Sequence, residues 1–229
     1  MLSGFILFFL VAAVDWLAIA RGQKKLEYLA KPAAMLVLLG LLAWVGGFSS
    51  LPVLCFALGI FFSMAGDICL MLAYAHLSDR WFFGGMAAFF LTHLAYIIGL
   101  NIPMPNVSGI WSLGLALVLA VSTARILRRI LAGVRKKGLP RLERPVAAYG
   151  MLITLMLLSA LLTLNNDTWK VFAAVLVAVG AILFYFSDII LAWNKFVDPI
   201  KHGRLANMIL YHLGQAALVA GVILQFGTK

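Results

Sequence analysis

Residues 169–193 read WKVFAAVLVAVGAILFYFSDIILAW, and between Lys170 and Lys195 the only charged residue is Asp188. A stretch of about 18 or more predominantly apolar residues is long enough to cross a bilayer as a helix. Asp188 therefore marks both a membrane span and a carboxylate that has to be accommodated inside one. Outward from it the pattern repeats, and spans are expected near 3–20, 32–47, 52–75, 81–100, 109–131, 145–164, 169–193 and 204–226. Breaks at Gly46-Gly47-Phe48-Ser49-Ser50, Pro103-Met104-Pro105-Asn106 and Asn165-Asn166-Asp167 carry turn-forming residues. The first run lacks preceding basic residues and a small-residue cleavage pattern, so it reads as a retained helix rather than a signal peptide.

Composition agrees with eight spans. Of 229 residues 64% are hydrophobic and 11% charged, and the mean hydropathy is +1.05. Soluble domains are closer to 45–50% apolar and about 25% charged. The expected fold is an all-α polytopic bundle forming a single transmembrane domain over 1–229. Cys55 and Cys69 fall in one span, which excludes a disulfide framework or a CxxC site.

The net charge of +10 has a topological origin. The turns after spans one, three, five and seven, with adjoining helix ends, hold 16 of the 18 Lys and Arg residues, while Lys170 and Lys229 are on the other side. By the positive-inside rule the basic side is cytoplasmic and both termini are exoplasmic, in the inner or plasma membrane if the protein is bacterial. The basic loop Arg125–Arg144 can touch anionic membrane lipids, and nucleic acid is excluded as a partner.

Polar landmarks recur. Lys31-Pro32, Asp67 and His93 appear in the same order as Arg144-Pro145, Asp188 and His212, four spans apart. An even offset keeps the two halves in the same direction, so a parallel repeat of 1–108 and 109–229, each of four helices, is expected.

Intramembrane carboxylates cost roughly 2.5–3.5 kcal/mol each and usually mark a site. Asp67 and Asp188 lie roughly 10–13 Å from the basic ends of their spans by helix rise, and His93 and His212 lie at similar depth or deeper. Helical spacing aligns Asp67 with Ser63 and Tyr74, and Asp188 with Tyr185 and Lys195. His93 shares a stripe with Tyr96, and Gln215 shares one with Asn207 and Tyr211 beside His212. Such stripes are expected to face the bundle interior. The histidines also suit packing or orienting roles, and Asp15, near a helix end, suits snorkelling or capping. Two buried carboxylates that repel one another suit a protonated and an ionised partner, able to donate a proton and to activate water. No GxSxG, HExxH, P-loop or GxGxxG signature accompanies them.

The segments Lys31-Pro32, Gly66-Asp67-Ile68-Cys69-Leu70, Phe90-Leu91-Thr92-His93-Leu94-Ala95-Tyr96 and Phe184-Tyr185-Phe186-Ser187-Asp188-Ile189-Ile190-Leu191 resemble the YhhN (lysoplasmalogenase) family over nearly the whole chain. The resemblance implies hydrolysis of the vinyl ether of a lysophospholipid substrate, lysoplasmalogen, to a fatty aldehyde and a glycerophospho-ethanolamine or -choline. It implies Asp67 and Asp188 as the catalytic pair, with no metal or organic cofactor. Lys31 or Arg144 would then hold the lipid phosphate, and Tyr74, His93, Tyr96, Tyr185, His212 and Gln215 would support the site.

Three other readings use the same residues. A proton-coupled transporter of small molecules or lipids would employ the buried aspartates without covalent change. An aspartyl protease needs GxGD, but position 64 is Met. A metal hydrolase would draw its ligands from Asp67, His93, Asp188 and His212 and would be sensitive to chelators.

Overall fold

The computed structural model describes residues 1–46, 50–76, 79–104 and 109–227. The expected breaks at 47–49 and 105–106, and Lys229, lie outside the described residues. Within them the chain is all-helical and has eight helices long and apolar enough to cross a membrane. They are α1 (Leu2–Ala20), α2 (Lys24–Gly46), α3 (Leu51–His76), α4 (Asp79–Leu100), α5 (Ile110–Lys136), α6 (Glu143–Leu162), α7 (Val171–Phe196) and α8 (Gly203–Phe226). It is an integral, multi-pass membrane protein. The remaining ordered segments include single 3₁₀ turns at Pro140–Leu142 and Thr163–Asn165.

Two helices exceed their expected limits for one physical reason. α2 begins at Lys24 rather than at Pro32, and Pro32 lies inside it. The added turns carry Lys24, Lys25, Glu27 and Lys31, too polar for a hydropathy window. Glu27 and Lys31 pair across one turn at 3.1 Å, an i,i+4 contact that supports the helix. α5 likewise runs through its cationic end to Lys136. Hydropathy locates the apolar part of a helix and misses the charged turns beyond the membrane.

The two tightest pairs are α3 against α4 and α7 against α8. Between α7 and α8 small residues bring backbones into contact, as membrane helices do when no side chain intervenes. A Cβ on Gly180 would lie 2.7 Å from the Leu218 amide nitrogen and 2.8 Å from the Gly214 carbonyl oxygen. Neither backbone atom can swing aside. Gly180→Ala should therefore destabilise the purified protein by about 1–3 kcal/mol, the usual cost of overpacking. A detergent-solubilised melting temperature equal to that of the unmodified protein would contradict this packing.

One end of the bundle gathers the cations. Arg204 at the start of α8 reaches Glu27 near the start of α2 (2.8 Å), and Lys137 donates to the Lys195 carbonyl at the end of α7 (2.6 Å). The turns after α1, α5 and α7 thus share one face. At the opposite end the Lys170 ammonium donates to the Leu224 carbonyl (2.8 Å). Large apolar side chains such as Ile110, Val171 and Leu2 are exposed outside the bundle, as a lipid-facing surface requires. Phe8, Met35, Phe56, Tyr96, Phe184 and Leu218 fill its interior.

Candidate active site

Asp67 on α3 and Asp188 on α7 line a single cleft of about 610 Å³ below the basic face. Each carboxylate is tethered through Oδ2 to a tyrosine. The Tyr211 hydroxyl donates to Asp67 at 2.8 Å, and the Tyr149 hydroxyl donates to Asp188 at 2.5 Å. His93 Nε2 lies 3.0 Å from the Tyr149 hydroxyl and 3.3 Å from the same Asp188 oxygen. His93 Nδ1 is buried and has no hydrogen-bond partner among the described residues. The Nε2–H tautomer satisfies this geometry, because it donates towards Tyr149 and Asp188 and leaves only a lone pair unanswered. The imidazole, the phenol and the carboxylate form one connected chain from α4 through α6 to α7.

A second cavity of about 770 Å³, almost wholly apolar, runs between α4, α5, α6 and α7. Phe82, Met86, Ile126, Ile130, Val146 and Ile153 form much of its wall. Its margins include Leu70, Phe89, Asp188 and Leu191, which also line the polar cleft. Asp188 thus stands where a greasy groove and a polar cleft meet.

The other predicted residues divide between these spaces and the core. Lys31 is buried and lines the cleft. Tyr74 lines its rim, with the Arg204 guanidinium 5.4 Å above its ring. Tyr185 lines the apolar groove and bonds Thr123 at 2.8 Å. Tyr96 and Gln215 touch neither cavity. The Tyr96 hydroxyl donates to Gln215 (2.6 Å), which donates to Ser63 (2.8 Å), a buried network joining α3, α4 and α8. Arg144, near the start of α6, is exposed and lines neither cavity.

Two expectations are corrected. His212 does not meet the aspartates, because its neighbour Tyr211 occupies the inward register of α8. Its Nδ1 accepts from the Trp16 indole at 3.0 Å, and its buried Nε2 has no partner among the described residues. Asp15 does not snorkel. It is fully buried, and neither carboxylate oxygen has a hydrogen bond among the described residues, because α1 turns that face into the bundle. The four side chains of the metal alternative are therefore not gathered together, and no three His, Cys, Asp or Glu side chains converge among the described residues.

Sequence reasoning passed over Tyr149, Arg204 and Glu27. Tyr149 is the only aromatic residue of the predicted sixth span, a signal obscured by the habit of tyrosines to sit in interfacial belts. Arg204 is one of the 16 cations of the basic side, and Glu27, an acidic residue there, carries no weight in the positive-inside rule.

An eight-helix bundle with two carboxylates at the meeting of a polar cleft and an apolar groove defines a polytopic membrane protein with connected cavities between its helices. The chain belongs to the YhhN family, whose sequence model matches residues 26–222. It is 31% identical over 169 residues to lysoplasmalogenase TMEM86B of Rattus norvegicus, covering 73% of this chain and 60% of that protein. Against the Homo sapiens protein of the same name, identity is 30% over 163 residues, 70% of this chain and 60% of the relative. The Mus musculus protein gives 30% over 169 residues, 73% and 62%. The chain thus spans about 60% of the length of the curated relatives it matches. No solved structure matches it.

Proposed function

We propose that this protein hydrolyses the vinyl ether bond of lysoplasmalogens, releasing a fatty aldehyde and a glycerophospho-base, with Asp67 and Asp188 as its acid–base pair. The observation that carries the reading is the position of Asp188 on the wall of both cavities, with Asp67 in the same cleft. A lysoplasmalogen has the same division, with an apolar alkenyl chain on one side of the ether and a polar glycerophosphate on the other. With the chain in the groove and the glycerophosphate in the cleft, the ether lies beside Asp188. Similarity to lysoplasmalogenases over about 70% of the chain supports the choice of substrate.

The chemistry needs only a proton donor and a proton acceptor. One carboxylic acid protonates the vinyl carbon β to the ether oxygen, forming an oxocarbenium ion. The partner carboxylate faces that cation and takes a proton from the water that adds to it. The resulting hemiacetal collapses to aldehyde and alcohol, and the proton taken from water returns the pair to its starting state. The cycle is akin to two-carboxylate glycoside hydrolysis. Tyr149, Tyr211 and His93 hold the carboxylates in orientation, so that each offers its remaining oxygen to the substrate. The basic face of the bundle is the cytoplasmic one, with both termini exoplasmic. The two halves are the products of a duplication in which Asp67 and Asp188 are equivalent.

The test is to incubate the purified protein with a 1-alkenyl lysolipid and measure aldehyde, with the saturated 1-alkyl ether as control. Aldehyde released from the alkenyl lipid alone is the expected result. Reconstituted vesicles that move the lipid intact and release no aldehyde would overturn the hydrolytic reading in favour of transport.

A further inference from the structure

Two cations line the cleft, and a buried carboxylate beside them joins them through one atom. Glu27 Oε1 accepts from Lys31 Nζ at 3.1 Å and from the Arg204 guanidinium at 2.8 Å. Glu27 is 3% exposed and Lys31 7%, whereas the Arg204 side chain is about half exposed (52%). The two cations share the Glu27 carboxylate, and Asp67 and Asp188 lie deeper in the same cleft. Lys31 has three N–H donors and Arg204 five, so donors remain on both after Glu27 is served. Both cations line the cleft that holds Asp67 and Asp188. Of the amide side chains there, Asn207 donates to Ser187, and Asn194 accepts from the Ile200 amide.

We infer that Lys31 and Arg204, tied together by Glu27, form a binding site for the phosphodiester of a lysophospholipid headgroup. A phosphodiester has one negative charge and several acceptor oxygens, matching the spare donors of two adjacent cations at the mouth of the cleft. Arginine supplies a planar fork and lysine a point charge, the pair that phosphate oxygens accept well. Glu27 holds two helices distant in sequence, α2 and α8, in register, so the site is assembled before the lipid arrives. Tyr74 beneath the guanidinium keeps Arg204 over the cleft. Arg204 precedes Tyr211, the partner of Asp67, by seven residues, about 10 Å along the helix. That is comparable to the reach of a glycerophosphate, so a phosphate at Arg204 leaves its ether at the depth of the carboxylates.

This inference rests on the proposed reading for the identity of the lipid, so its test reads binding rather than turnover. Non-hydrolysable 1-O-hexadecyl-lysophosphocholine and phosphate-free 1-O-hexadecylglycerol are titrated into the purified full-length protein. The unmodified protein should prefer the phospholipid. Arg204→Gln and Lys31→Gln should each lower phospholipid affinity by about 10- to 100-fold, the effect of losing a charged hydrogen bond, and leave hexadecylglycerol unchanged. Arg204→Lys should recover part of the loss, and because Arg204 is half exposed its variants test the site without disturbing the core. Phospholipid affinity unchanged in both Gln variants would overturn the site. Inorganic phosphate that binds equally well, and displaces the lipid only when Arg204 is present, would assign it to the free anion and overturn the headgroup assignment. Neither outcome depends on whether aldehyde is formed.

Discussion

Asp67→Asn and Asp188→Asn should each reduce aldehyde release from a 1-alkenyl lysolipid by about 10²–10⁴-fold, the range typical of losing a general acid or base. The amide is nearly isosteric with the carboxyl, and its oxygen can still accept from Tyr211 or Tyr149, so the local structure survives. What it loses is the capacity to give or take a proton. The loss should appear in kcat with little change in KM, because the proton moves only in the transition state. The two variants should not be additive, since either carboxylate alone leaves the cycle broken. Single variants and the double variant measured under one condition decide the matter. Near-normal turnover by either single variant removes that residue from the mechanism.

The second large effect concerns the apolar groove. Ile126 on α5 is partly buried and lines the groove wall. Ile126→Trp fills that space without adding charge. A long chain excluded from the groove forfeits about 0.8 kcal/mol for each methylene no longer buried. Displacing four methylenes would then cost about 3 kcal/mol, roughly a 200-fold loss of kcat/KM. A lysolipid with a four-carbon alkenyl chain, which needs little of the groove, should keep most of its turnover. The contrast between chain lengths separates a filled groove from a damaged protein, which would lose both activities. Equal effects on long and short chains would show that the chain lies elsewhere. α5 is the least buried of the eight spans, which makes it the most tolerant wall to alter.

The number and rough position of the helices were legible in the sequence because a bilayer imposes a one-dimensional rule. A helix that crosses it must be about 20 residues long and apolar, and that is a property of consecutive residues. The gathering of cations at one end was legible for the same reason, since alternate turns have to fall on alternate sides. The inward stripe of α3, with Ser63 and Asp67 on one face, followed from helical periodicity alone. The charged turns of α2 and α5 beyond the apolar spans were not legible, because their support comes from ion pairs and from length outside the membrane.

Which side chains meet was decided by the tertiary structure. Tyr211 and His212 are neighbours in sequence and about 100° apart around α8, so a small rotation of the helix decides which of them reaches Asp67. The close backbone contact at Gly180 and Gly214 sets that rotation; Tyr211 faces the cleft and His212 faces Trp16 on α1. Arg144 and Arg204 read alike as basic residues near the starts of even-numbered spans. Only the packing of α8 against α2 brings Arg204 to Glu27, while Arg144 stays exposed. Tyr149 reaches Asp188 because α6 lies between α4 and α7, a neighbour relation that no spacing within a single helix encodes. Periodicity determines the face on which a residue lies, and helix packing determines what that face meets.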